Sequence, residues 1–180
     1  MEKTEKIFNL QPEILENELI KIIPLTENDF DRLYAVASDP LIWVMHPITD
    51  RYKKEVFKGF FDSAIESKGA FLVLDKRTGE VIGSTRFYDL QPDYSKVIIG
   101  YTFLGRKYWG GDYNKAMKKL LIDYAFNFVD TVVFHIGITN YRSQKAILKI
   151  GAKKIDDDKL FNIGELPHYI YEIRKVDWTG

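Results

Sequence analysis

Apolar positions along the chain switch between a spacing of two and a spacing near 3.6, and each switch marks a change between strand and helix. Residues 19–25 read as a strand. Thr26, followed by Asp29 three residues on, resembles a capping signal for a helix over residues 27–37, which Asp39-Pro40 ends. A second helix is predicted over residues 53–67, with Val56, Phe57, Phe60, Phe61 and Ala64 on one face, and Lys68-Gly69 stops it. Residues 70–75 and 80–90 look like two strands joined by a short link at 76–79, where Thr78-Gly79 gives a turn signal. After a turn at 91–95 come a strand over 97–104, a loop, and a helix over 113–128. That helix carries Tyr113, Ala116, Met117, Leu120, Leu121, Tyr124 and Phe128 on one face, so it is expected to lie flat on a sheet. A strand rich in β-branched and aromatic residues follows at 131–139, then a short helix that Asn140 opens and Gly151 closes. Two final strands are expected near 153–155 and 169–176.

The resulting order is β-α-α-β-β-β-α-β-α-β-β, in which only the middle helices act as crossovers between neighbouring strands. A mixed, largely antiparallel sheet with helices on both faces is therefore predicted, a three-layer α/β/α arrangement of the α+β class. With 180 residues there is room for one sizeable core but not comfortably for two, so residues 1–180 are read as a single domain.

Charge sharpens this picture by exclusion. Twenty-six basic and 26 acidic side chains balance to zero, which offers no general attraction to nucleic acid or to anionic lipid. The chain has no cysteine, so disulfides, thiolate nucleophiles and cysteine-type zinc sites are excluded. Its three histidines, His46, His135 and His168, form no ligand-spaced pair, and no metal site is expected. The first ten residues lack a signal-peptide core and no apolar run reaches membrane-spanning length, so a soluble cytoplasmic protein with no membrane partner is expected.

The most informative stretch is G-Y-T-F-L-G-R-K-Y-W-G-G-D-Y-N, residues 100–114, where an apolar strand runs through a basic, glycine-bearing loop into a long helix. The first N–H groups of a helix have no intrahelical partner and sit at the positive end of its dipole, so a phosphate placed at 109–114 would meet ready donors.

Three elements in this order resemble the GNAT superfamily of acyl-CoA-dependent N-acetyltransferases, and within it the branch of ribosomal-protein N-terminal acetyltransferases. They are the strand G-Y-T-F-L at 100–104, the loop W-G-G-D-Y-N at 109–114, similar to the family's pyrophosphate loop, and N-Y-R-S-Q-K-A-I-L-K-I-G-A at 140–152, similar to the branch's N-x-x-S helix. Three positions depart from the pattern: Trp109 replaces Gln or Arg, Asp112 stands at the inner Gly, and Asn114 replaces the final Gly or Ala. A carboxylate facing the pyrophosphate would cost about 1 kcal/mol at 4 Å in water and about 4 where water is partly excluded. Asp112 is expected instead to cap the helix and turn outward. Arg106, Lys107 and Lys115 surround the loop, where coenzyme phosphates or plain solvation would each account for them.

The resemblance implies acetyl-CoA as co-substrate, held by Thr102, Phe103, Leu104, Trp109, Gly110, Gly111, Tyr113, Asn114, Asn140 and Ser143. It implies a backbone N–H near Phe103 polarising the thioester carbonyl. Ser143 is expected to be the catalytic proton donor or thiol partner, because the position at which the family often carries a Tyr is Ile147 here. Asn140 reads equally well as the N-cap of its own helix. The expected activity is acetyl transfer to a primary amine by direct attack on the thioester; the alternative is a non-catalytic acyl-CoA-binding module of the same fold. A lysine-like amine needs roughly 4.6 kcal/mol to be neutral at pH 7, whereas an α-amine needs about 1, which favours an α-amine over a lysine-like one; the acceptor is expected to be a peptide N-terminus or a small amine. Asp89, His135 and Glu165 are the candidate bases, and Trp43, His46, Tyr52, Phe161 and Glu165 the candidate acceptor-side lining. A monomer or a homodimer is compatible with the resemblance.

Overall fold

In the computed structural model, which describes residues 7–155 and 160–180, the strands are β1 (Leu15–Glu16), β2 (Ile20–Pro24), β3 (Ala70–Asp75), β4 (Val81–Gln91), β5 (Lys96–Leu104), β6 (Thr131–Gly137), β7 (Lys153–Ile155), β8 (Phe161–Ile163) and β9 (Leu166–Arg174). The helices are α1 (Phe30–Ala37), α2 (Lys54–Glu66), α3 (Tyr113–Ala125) and α4 (Tyr141–Lys149). The strands join in one sheet in the order β1-β2-β3-β4-β5-β6-β9-β7, with β8 added to β9. Every pairing is antiparallel except β5 with β6, which α3 connects as a crossover. The expected α+β class, mixed sheet and helices on both faces are all present.

Side-chain alternation explains the layers. In β3, Phe71 and Val73 enter one core and Ala70, Leu72 and Leu74 the other, so every residue of the strand is buried. The first core lies under α3, through Met117, Leu121, Ile122 and Ala125, and under Ile147 of α4; the second lies under Leu33 and Ala37 of α1 and Phe57, Phe60, Phe61 and Ala64 of α2. Each fully buried Phe or Leu contributes about 1.5–3 kcal/mol relative to exposure, so the two helix layers are held mainly by these stripes. Before α1, the Asp29 carboxylate accepts from both the N–H and the hydroxyl of Thr26, at 2.9 and 2.8 Å.

Two strands escape the sequence pattern. β1 is only two residues long, too short for a period to register. Between the two final expected strands, residues 161–168 make a hairpin of β8 and β9 around Gly164, whose φ of 62° suits the tight turn. Pro167 masks the start of β9 in the sequence, since proline is normally kept out of strand interiors. α3 ends at Ala125 and β6 at Gly137, each short of the expected limit. No helix among the described residues is long and apolar enough to cross a membrane.

Candidate active site

The site originates in the one parallel pairing. β5 and β6 are paired only at Lys96↔Thr131, Val97↔Val132 and Ile98↔Val133; beyond these, both strands continue without each other. A β-bulge in β5 accompanies the divergence. The β4–β5 register shifts between Ser84 and Arg86, and Tyr101 takes a left-handed conformation with φ 52°, a strained choice for an aromatic residue. Gly100 beside it has no room for a side chain, because a Cβ would lie 2.9 Å from the Tyr88 ring. The bulge leaves an open edge on β5, and two cavities meet there.

The first cavity, of about 460 Å³, lies between β5, the 105–112 loop, the N-terminal half of α3 and the length of α4. Of the residues expected to hold the cofactor, Thr102, Phe103, Leu104, Trp109, Gly110, Gly111, Asn114, Asn140 and Ser143 line it. Tyr113 does not. Its ring packs edge-on against Tyr108, and its hydroxyl donates to Asp75 at 3.0 Å and contacts Arg77, on the far side of α3. Trp109 is pinned by an indole N–H bond to the Leu104 carbonyl at 2.8 Å, and the Arg142 guanidinium lies 3.6 Å over its ring while donating to the Ile42 carbonyl. This stack ties the loop to the start of α4.

Cations dominate the lining: Arg142, Lys115, Lys145, Lys149 and the deeper Lys118, against the single carboxylate of Asp112. Asp112 sits at the N-cap of α3 but makes no side-chain capping bond, so the expected cap is not made; it is an exposed residue among those lining the cavity. Arg106 and Lys107, expected around the phosphates, are engaged elsewhere, with Asp39 and with Glu80. Those pairs line a larger, open groove of about 960 Å³ beside α1, whose charges are already satisfied. Open N–H groups at a helix start and an excess of cations fit a coenzyme that carries several phosphates.

Near Phe103, the backbone N–H that faces the open edge is that of Leu104. Gly105 N–H donates to the Ile82 carbonyl, and in an antiparallel ladder the groups facing the partner recur every second residue, so Phe103 also faces β4. Leu104 therefore presents its backbone groups to the open edge, as its carbonyl bond to Trp109 shows. The Phe103 side chain belongs to the core, 4.9 Å from Trp43 by ring centroid.

The second cavity, of about 500 Å³, opens between the diverging strands toward α2 and the β8–β9 turn. It shares His46, Thr102, Lys118, Asn140, Ser143 and Ile147 with the first, so these six residues stand where the cavities join. Asn140 is buried and accepts from Ser143 N–H at 3.2 Å, which makes it the N-cap of α4. Lys118, which sequence reasoning missed, is 5% exposed and donates to the Thr102 hydroxyl at 2.8 Å; that hydroxyl lies 2.9 Å from Thr85. Burial alone lowers its pKa from 10.5 to about 7.

Of the three candidate bases, His135 lines the second cavity; Asp89 and Glu165 are exposed and do not. The His135 ring lies 4.5 Å from that of Phe161, and burial, followed by the nearby His168, holds its pKa below the usual value. Of the expected acceptor-side residues only His46 lines the cavity. Its pKa is lowered to about 3, first by burial and then by Arg51 and Arg142, so it is neutral throughout the physiological range. Trp43 is fully buried with its indole N–H on the Ala37 carbonyl, the Tyr52 carbonyl accepts from the Tyr34 hydroxyl, and Phe161 packs on His135 outside the lining.

Residues 20–153 match the family model of the acetyltransferase (GNAT) domain. An uncharacterized N-acetyltransferase, p20, of Bacillus licheniformis is 29% identical over 119 residues, which cover 63% of this chain and 66% of that protein, just under two thirds of its length. Among solved structures, a GCN5-related N-acetyltransferase from Brucella melitensis superposes with a TM-score of 0.78 at 18% identity, covering 95% of this chain and 84% of that one. RimJ of Mycobacterium smegmatis, solved in complex with CoA-disulfide, gives 0.72 at 13% identity, covering 93% and 88%.

Proposed function

The chain belongs to the GNAT acetyltransferase family, whose fold uses acetyl-CoA, and from that premise we propose that it transfers an acetyl group from acetyl-CoA to a primary amine, protein N-terminal α-amines among the candidate acceptors. The observation that carries this reading is the join of two cavities at the β5–β6 split, one walled by cations and a helix N-terminus, the other open toward α2 and the β8–β9 turn. A donor held in the first cavity presents its acyl end where an amine in the second can reach it.

Acetyl-CoA supplies an activated acyl carbon and a thiol leaving group. Leu104 directs its N–H at the open edge, where the carbonyl oxygen gains charge during attack. Lys118 has a substantial neutral fraction at pH 7 and stands at the join, so its Nζ takes the proton that the attacking amine must lose. As the carbon–nitrogen bond forms and the carbon–sulfur bond breaks, Lys118 returns that proton to the sulfur. Ser143 lines both cavities, and its hydroxyl has no protein partner among the described residues, leaving it free to donate to the departing sulfur.

A thiol-release assay with acetyl-CoA and a panel of amines tests the proposal, with calorimetry of acetyl-CoA binding alongside. Binding without transfer to any amine would instead support the non-catalytic acyl-CoA-binding module, the reading that the Asp112 carboxylate favours. No heat with acetyl-CoA or coenzyme A would overturn both.

A further inference from the structure

The second cavity has an unusual charge balance: among the described residues no Asp or Glu lines it, while Arg51, Lys118 and three histidines do. Arg51 comes from the segment between Trp43 and α2. Its guanidinium lies 4.8 Å over the Phe60 ring and 5.7 Å from that of Trp43, and no hydrogen bond or ion pair engages it among the described residues. Behind it, the buried Arg86 stacks 4.0 Å over Tyr101 and reaches only neutral oxygens of Ser63, at 3.3 and 3.4 Å, with its Nε unpartnered. Two arginines thus meet at one wall with no carboxylate in contact with either among the described residues; Asp50, the neighbour of Arg51 in the chain, acts on it only at a distance and pairs with Lys53 at 3.6 Å. Burial lowers the Arg51 pKa to about 10, with Arg86 acting in the same direction and Tyr101 and Asp50 against it.

A chamber built to receive a plain polyamine or an aminoglycoside would carry carboxylates, since an uncompensated ammonium is costly beside a guanidinium. We propose that the acceptor is an amine that also carries an anionic group, a carboxylate or a phosphate, and that Arg51 binds that group. The planar, forked guanidinium suits either anion. The inference rests on the transferase reading, because the second cavity is taken as the acceptor chamber.

The test compares kcat/KM across matched amines in the thiol-release assay: free amino acids against their amides, an amino-sugar phosphate against the unphosphorylated sugar, peptides with acidic against neutral second residues, and spermidine and kanamycin. Anionic members are expected to exceed their neutral partners at least tenfold, and the pair with the largest ratio identifies the source of the anion. In Arg51→Gln that ratio should fall by about tenfold or more, which corresponds to about 1.4 kcal/mol. Arg51→Lys, which keeps the charge but loses the fork, should fall in between. Equal or better turnover of neutral or polycationic amines overturns this inference while leaving the transferase reading intact, and the wild-type comparison decides this even if a variant misfolds. Loss of both members of a pair in equal proportion in Arg51→Gln removes Arg51 as the anion's partner. Failure of every amine overturns the transferase reading, and the inference falls with it.

Discussion

Replacing Lys118 by methionine keeps an unbranched side chain of similar length in α3 and removes only the amine. The consequences for stability and for activity have opposite signs. Between pH 7 and 10.5 the folded chain binds fewer protons at this site than the unfolded chain, so stability rises with pH across that window and the cost is complete below pH 7. The gap between 10.5 and about 7 corresponds to at most on the order of 5 kcal/mol. Lys118→Met should therefore unfold at higher urea than the wild type at pH 7, with the difference shrinking toward pH 10. Activity should fall instead, because a positioned proton acceptor contributes about 10²- to 10⁴-fold. With an acceptor amine that titrates well away from neutrality, wild-type kcat should rise through pH 7 and level off, and this limb should be absent from the variant. A variant that is both stabilised and within fivefold of wild-type kcat, or one that keeps the limb, refutes the proton-transfer role. A variant that loses stability and activity together would show Lys118 to be structural.

Three further outcomes follow from the geometry. Ser143→Ala should slow kcat by no more than about thirtyfold, because a thiol of pKa about 8.5 needs only about 2 kcal/mol of help to leave at pH 7; a loss beyond a thousandfold, measured by thiol release, would make the hydroxyl far more than an aid to departure. Asp112→Asn removes the one carboxylate from the coenzyme cavity and should tighten acetyl-CoA binding about fivefold in calorimetry, the gain of about 1 kcal/mol shrinking as salt is added. Asn140→Ala removes the bond to Ser143 N–H and should cost about 1 kcal/mol in urea unfolding even without ligand, since an N-cap is lost.

What could be read from the sequence was what repeats locally. The faces of α2 and α3, the buried run of β3 and the N-cap at Asn140 each rest on spacing within one element, and all are present. The lining of the first cavity was legible for the same reason, since strand, loop and helix follow one another in the chain. Lys118 was hidden by its neighbours. It lies between Met117 and Leu121 on a strongly apolar face, and the available signal was a lysine three and four residues before the buried Leu121 and Ile122. The Tyr101 bulge could not be foreseen, because a register shift exists only against the partner strand. Arg51 lies in a segment without period, so nothing local assigned it to a cavity.

The two hidden residues account for the lack of a carboxylate base. A protonated amine entering the second cavity faces Arg51 and, behind it, Arg86, and like charges at short range favour its neutral form. Lys118 is driven toward neutrality by burial alone, so donor and acceptor of the proton are both brought near the pH at which transfer between them is easy. A carboxylate in this chamber would hold the ammonium in its charged, unreactive form and would draw Arg51 into an ion pair. An anionic group on the substrate satisfies Arg51 at a distance from the reacting nitrogen, while Arg86 behind it and the lack of an acidic side chain in the lining still disfavour the charged form of the amine.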